Sequence, residues 1–399
     1  MNMKLLKIQA YGLKLFEKEI EIDFYAKQRV SADKNEMLTN VFSNIYINNV
    51  ISMVGINASG KTTTLKVISF ALQLLKNEPI NNIKSNDILD GLEEHEEVIF
   101  DIFFISGDGK LSRLNSVIKT KQIKTELKDE LNKNYFISRE TLWTKSINTV
   151  RSKKDLFDFS NVSPSEERKE DELFLSDDVS VMIAFNKKQN NTINILDSIN
   201  WTNFNGLRVV GDFPISLVQF LDPSIEHLEC NELKNDKKIE IRLKFFNKKE
   251  IIMYSPLEIS KYLSSGTVKG LNVFMMAMII LQDGGYLIID ELENHFNKEI
   301  VSTLIRFFMD SDINKNGAVL IFSTHYVELL DIFERNDNIY VIKNISGICI
   351  ENLSDLLQRN DIKKSELFQS GFLENTTPSY NAYINFKRAL TKAIKNAEV

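Results

Sequence analysis

The sequence predicts an α/β fold, and three observations carry that reading. Gly55-Ile56-Asn57-Ala58-Ser59-Gly60-Lys61-Thr62 fills every fixed position of the phosphate-binding pattern G-x-x-x-x-G-K-[ST]. Tyr286-Leu287-Ile288-Ile289 runs straight into Asp290-Glu291, and the apolar stretch 318–322 runs into Ser323-Thr324-His325. Both have the pattern of a buried strand that ends in polar, chemistry-bearing residues. Their order after the glycine loop, β–α–β–β, is that of an α/β core with its ligand loops at strand ends.

Each element follows from local pattern. Residues 5–24 alternate apolar and polar around Gly12 and read as two paired strands. Val50–Val54 is a short β-branched run entering the glycine loop. Leu65, Ile68, Leu72 and Leu75 recur at helical spacing beyond the loop, predicting a helix that ends near 76–79. Residues 97–106 and 111–120 read as paired strands about the turn Gly107-Asp108-Gly109-Lys110. From about 122 to 236 the pattern loosens, and the charge block from Glu166 to Glu172 predicts an exposed loop over 163–176. A second hairpin spans 239–246 and 251–255 across Asn247-Lys248-Lys249, and 271–281 reads as a buried helix. After Pro378 an amphipathic helix sets Tyr383, Phe386, Leu390 and Ile394 on one face. No internal repeat or sustained heptad pattern occurs.

Composition narrows the field by exclusion. A chain of 399 residues with 43% hydrophobic content is large enough for two structural units and a substantial core. The longest apolar candidate, 273–281, is too short to span a bilayer, and the N-terminus lacks the layout of a signal peptide. Only Cys230 and Cys349 occur, too few for a disulfide framework or a zinc site. The expectation is a cytoplasmic chain without membrane contact. A net charge of −6 argues against an overall basic coat. Lysines cluster at Lys119, Lys121, Lys124, Lys128 and Lys133, and at Lys234, Lys237, Lys238, Lys244, Lys248 and Lys249. Those clusters read either as solvated surface or as a nucleic-acid-facing stripe.

The chemistry expected of the motifs is specific. The loop amides and the helix N-terminus face anionic phosphates, Lys61 reaches the β- and γ-phosphates, and the Thr62 hydroxyl ligates Mg²⁺. Asp290, at a strand end, suits a carboxylate that holds the Mg²⁺ shell. Glu291 is placed to orient or deprotonate an attacking water, and His325 to hydrogen-bond the γ-phosphate or that water.

Together these segments resemble the ATPase heads of the ABC superfamily, in its soluble SMC/RecF-like branch, over residues 1–90 and about 240–345. Residues 55–62 look like that branch's Walker A, Asp290-Glu291 like its Walker B with the catalytic glutamate, and His325 like its switch histidine. Leu263-Ser264-Ser265-Gly266-Thr267 resembles the signature Leu-Ser-Gly-Gly-Gln, departing at Ser265 and Thr267. The resemblance implies a P-loop ABC-type ATPase head with an antiparallel β subdomain and an inserted, partly helical region. Its parts would be two head halves, 1–121 and 237–345, an insertion at 122–236, and a helical tail at 346–399.

The resemblance also implies a nucleotide site. ATP would be held by Gly55, Asn57, Ala58, Ser59, Gly60, Lys61, Thr62 and Thr63, with Mg²⁺ on Thr62 and Asp290. Ser264 and Gly266 would complete the site of an opposing subunit, so that ATP clamps a homo-oligomer. Gln219 and Gln122 are the candidates for a Q-loop glutamine. Closer still, residues 6–16, Lys364-Ser365-Glu366-Leu367-Phe368, Thr377-Pro378-Ser379-Tyr380 and Glu291-Leu292-Glu293-Asn294-His295 resemble phage-defence ATPases of the abortive-infection AbiL type and the wider OLD- and PARIS-like group. Members work beside a separately encoded effector, often a nuclease, and this chain carries no nuclease pattern of its own. A RecF-like DNA-repair or DNA-clamping ATPase remains the alternative.

Overall fold

The computed structural model describes residues 2–30, 37–124, 131–168, 175–189, 191–202, 204–233, 239–294, 296–357, 359–360, 362–370 and 380–397. At its centre lies a six-stranded sheet. Its order is β10 (Ile195–Asp197), β15 (Tyr286–Ile289), β16 (Val319–Thr324), β5 (Val50–Val54), β17 (Ile339–Asn344) and β18 (Ile348–Asn352). The first five are parallel and β18 is antiparallel to β17. Continuous apolar runs are what a parallel sheet covered on both faces requires. In β5, Ile51 and Met53 enter one hydrophobic core while Val50 and Val54 enter the other. Tyr286 and Ile288 alternate with Leu287 and Ile289 across β15 in the same way.

One face of this sheet carries α1 (Lys61–Leu75), over which a second, antiparallel sheet closes. That sheet runs β2 (Ile20–Asp23), β1 (Lys4–Tyr11), β6 (Val98–Ile105), β7 (Lys110–Lys124), β8 (Leu131–Ser146), β9 (Pro164–Arg168). Phe70 of α1 stacks on Phe100 of β6 with ring centroids 5.1 Å apart. The small hairpin β3 (Leu38–Phe42) and β4 (Ile45–Asn48) leads into β5, and α2 (Met182–Gln189) also packs into this core. The opposite face of the central sheet buries α4 (Ser265–Asp283) and α5 (Lys298–Met309).

A smaller lobe is formed by α3 (Ile215–Leu221) and the four-stranded sheet β11 (Gly211–Asp212), β12 (Ile225–Glu232), β13 (Ile239–Phe245) and β14 (Ile251–Met253). Its own core includes Leu228, Ile241 and Leu243, and Val268 and Leu271 of α4 enter it. Helix α4 therefore belongs to two cores, joining the lobe to the central sheet. After β18 come α6 (Leu353–Leu356), α7 (Lys364–Gln369) and α8 (Tyr380–Ala397).

The fold differs from the sequence-based expectations in several places. The boundary at 121/122 falls inside β7, whose full length pairs with β8, so residues 131–146 continue the antiparallel sheet. Residues 164–168 are the edge strand β9 rather than loop, because Glu166, Glu167 and Arg168 pair with Leu142, Thr141 and Glu140; 169–174 lie outside the described residues. Within 122–236, β10 belongs to the central sheet and β12 pairs with β13 across the 236/237 boundary. The tail begins as a strand, β18, before it turns helical. Helix α4, with 19 residues, is long and apolar enough to cross a membrane by length and composition. Its most apolar window is 67% buried inside the fold, as befits a core helix.

Candidate nucleotide site

The glycine loop joins β5 to α1 at the C-terminal edge of the parallel sheet, where an α/β fold places ligands. Its tight path needs left-handed backbone at Ala58 (φ 60°) and Gly60 (φ 100°). A Cβ on Gly60 would lie 2.6 Å from the Ile348 side chain, so only glycine fits. Lys61 is 5% exposed and folds back on the loop, its Nζ donating to Gly55 O and Ile56 O at 2.9 Å each. Burial pulls its pKa down, opposed by the charges of Glu293, Asp290 and Glu291. Ser59 Oγ is buried without a hydrogen-bond partner among the described residues.

The two strand-end motifs converge on this loop. Thr62 Oγ1 donates to Asp290 Oδ2 at 2.8 Å, a contact across 228 residues of chain. Ser323 Oγ donates to the other oxygen, Oδ1, at 2.5 Å and accepts from Glu291 N at 2.7 Å. Asp290 N donates to Ser198 Oγ at 3.3 Å, just past the end of β10. Glu291 adopts φ 49°, a left-handed conformation rare for a residue with a Cβ. His325 Nε2 stands 3.6 Å from Glu291 Oε1, and its backbone N donates to Glu293 Oε1 at 2.5 Å. Lys269 of α4 is 5% exposed and donates from Nζ to Glu291 O at 3.2 Å; burial pushes its pKa down to about 8.

A cleft of about 480 Å³ gathers residues 57–63 with Glu291 and His325, rimmed by Leu15, Asn344 and Ile348. Asn57, Ala58, Ser59, Gly60, Lys61, Thr62 and Thr63 thus share one cavity with the two strand-end residues. Gly55 lies beneath the loop, where a Cβ would stand 2.4 Å from Ile342 O. A larger open groove, about 860 Å³ between α5 and residues 327–332, contains none of the motif residues. We assign the chemistry to the smaller cleft, because the convergent polar groups are there.

Ser264 and Gly266 are not brought to this cleft within the chain. Ser264 is instead the N-cap of α4, its Oγ accepting from Thr267 N at 3.1 Å, and the helix starts at Ser265, one residue before Gly266. Gln219 sits on α3, where its Nε2 donates to Ile225 O at 3.4 Å, and it takes no part in the cleft. The Gln122 side chain and His295 lie outside the described residues. Sequence reasoning missed Ser323, Ser198, Glu293 and Lys269. Ser323 and Glu293 stand inside quoted motifs without a role assigned to them, and Lys269 is the sole charged residue between Thr267 and Leu281.

Residues 50–331 match the family described as "AAA domain, putative AbiEii toxin, Type IV TA system". The chain belongs to that family. It is a P-loop ATPase domain of the AAA/ABC type, and the match runs from β5 to the segment just past His325. No curated protein matches the chain.

Proposed function

We propose that this P-loop ATPase binds and slowly hydrolyses ATP, clamps a second copy of itself around the nucleotide, and thereby gates a separately encoded effector in defence against phage. The observation that carries the hydrolytic part is the convergence of Thr62, Asp290, Ser323, Glu291 and His325 at one end of the sheet.

Loop amides and the N-terminus of α1 would receive the phosphates, as a helix start favours anions. Lys61 would leave the Gly55 and Ile56 carbonyls for the β- and γ-phosphates, and the unpartnered Ser59 Oγ supplies a further polar group for them. One carboxylate and one hydroxyl, Asp290 and Thr62, fit Mg²⁺, which takes its remaining ligands from phosphate and water. Bound there, Mg²⁺ supplies charge neutralisation on the β- and γ-oxygens. Glu291 would orient and deprotonate the attacking water, and His325 would hydrogen-bond that water or the γ-phosphate.

Dimerisation is supported by the position of the signature-like segment. Ser264 caps α4 and Gly266 lies in its first turn, neither lining the chain's own cleft, so their part in catalysis would be to cover the γ-phosphate of the opposing copy. Loss of the γ-phosphate would then release the clamp. The family description, a putative toxin of a toxin–antitoxin system, supports the defence context together with the AbiL-type resemblance of the chain's two ends. The SMC/RecF-like ancestry belongs to the same reading. A DNA-clamping role draws less support, because three lysines of the two clusters are paired with carboxylates. Lys119 pairs with Glu97 at 3.6 Å, Lys244 with Glu226 at 2.7 Å, and Lys121 with Asp177.

Glu291→Gln should bind Mg·ATP, hydrolyse it very slowly and double in solution mass when nucleotide is added. A mass unaffected by ATP would sink the clamp. Salt-sensitive stimulation of turnover by DNA would favour the repair reading instead.

A further inference from the structure

We propose that Lys269 is a positioning residue that ties the N-terminus of α4 to the Glu291 turn, so that contact at Ser264 sets the orientation of the Glu291 carboxylate. Resting on the ATPase reading above, this gives the site a regulatory input from the face the second copy would occupy.

The geometry is compact. Ser264 caps α4, and Lys269 follows five residues later on the same rigid helix, about 7.5 Å along its axis. Its buried Nζ crosses to the Glu291 carbonyl at 3.2 Å. The groups facing the ammonium are Glu293, Glu291, Asp290 and the Phe296 ring, whose centroid is 5.6 Å away.

Left-handed backbone at Glu291 persists only where its surroundings over-determine it. Four bonds do so. Glu291 N donates to Ser323 Oγ at 2.7 Å, and Leu292 N to Ser323 O at 3.1 Å. Asn294 N donates to Glu291 O at 2.9 Å, and Lys269 Nζ gives that carbonyl its second bond. Two of these come from β16 and one from the turn itself. Among the described residues, only Lys269 comes from an element whose free end lies at the signature-like segment. A shift of α4 is therefore felt at Glu291 through this side chain, whereas the anchors from β16 move with the central sheet.

The test is a double-mutant cycle of Lys269→Met and Glu291→Gln in the full chain, read by affinity for a fluorescent ATP analogue and by steady-state kcat. Lys269→Met should keep affinity within about threefold and lower kcat about 10- to 100-fold, the size expected when a group orienting a catalytic residue is lost. Lys269→Arg, which retains a cationic donor, should recover most of that loss. In the Glu291→Gln background the added Lys269→Met should change residual turnover less than about twofold, since both act through one side chain. Equal losses in both backgrounds, an unchanged kcat, or an arginine variant no better than methionine would overturn the proposal. If Lys269→Met fails to fold by circular dichroism, Lys269→Gln completes the same cycle. Tight ATP binding by Lys61→Ala would overturn the ATPase reading instead, independently of the cycle.

Discussion

Ser323→Ala removes one oxygen and should damage two things at once. Ser323 is fully buried, and its Oγ both donates to Asp290 Oδ1 at 2.5 Å and accepts from Glu291 N at 2.7 Å. The first is a hydrogen bond to a charged group, worth about 1.5–3 kcal/mol net. Without the second, a part-buried N–H is left unpaired, at a cost of about 1–3 kcal/mol. The two share one atom and are not additive, and Asp290 keeps Thr62, so the expected loss of stability is about 2–4 kcal/mol. Urea unfolding of the nucleotide-free chain measures it, and an unchanged m-value would show that the denatured state is untouched. Turnover should fall with it, because the Glu291 turn loses its β16 side-chain anchor while the glycine loop stays intact. Nucleotide affinity should therefore survive better than kcat. A stability change below about 0.5 kcal/mol with full turnover would refute the network, since a buried hydroxyl making both bonds cannot be that cheap to delete.

Other outcomes follow from the same structure. Lys61→Ala should abolish tight nucleotide binding, checked by isothermal titration with Mg·ATP. Gly60→Ala should do nearly the same, because its Cβ would meet Ile348 at 2.6 Å in a left-handed backbone; binding at wild-type strength would mean that the loop relaxes freely. Lys4 Nζ donates to Gly284 O, Asn316 O and Gly317 O at 3.0, 2.8 and 2.6 Å, tying β1 to the turns beside the central sheet. Lys4→Met should cost about 2–4 kcal/mol in urea unfolding, and a loss under 1 would contradict that role. Burial holds both Lys4 and Lys269 down to about 8 in the folded chain, so it binds fewer protons than the unfolded chain between pH 8 and 10.5. Stability should then rise with pH from about 8 to 10, by at most about 1.4 kcal/mol per unit for each lysine. Above 10 the buried phenols of Tyr135, Tyr286 and Tyr340, whose pKa values are raised, act in the opposite direction. Lys4→Met should remove one lysine's share of that slope, and a flat profile in the wild type would speak against both shifts.

What the sequence revealed and what it hid divide along a physical line. Val50–Val54, Tyr286–Ile289 and the glycine loop were legible because their constraints are local. A strand buried on both faces needs an unbroken apolar run, and phosphate binding needs a glycine at one sharply bent position. The strand β10 was not legible: three residues long, it takes its identity from a partner some 90 positions later. The same holds for β9, an edge strand written almost wholly in charged residues, whose pairing with β8 overrides a composition that argues for loop.

The site divides in the same way. Lys61, Thr62, Asp290, Glu291 and His325 announce themselves by motif, but the groups that aim them do not. Ser198 reaches Asp290 from the segment that leaves β10 for the small lobe, whereas Gln219 braces α3 against β12. A hydroxyl holds no sequence pattern, because any strand end that passes within hydrogen-bond reach of Asp290 can supply one. Helix α8 makes the complementary point. Its apolar spacing was plain in the sequence, yet Phe386, Leu390 and Ile394 are 67%, 50% and 55% exposed in the folded chain. Periodicity specifies that a helix has an apolar face, and only the rest of the structure can specify what, if anything, that face meets.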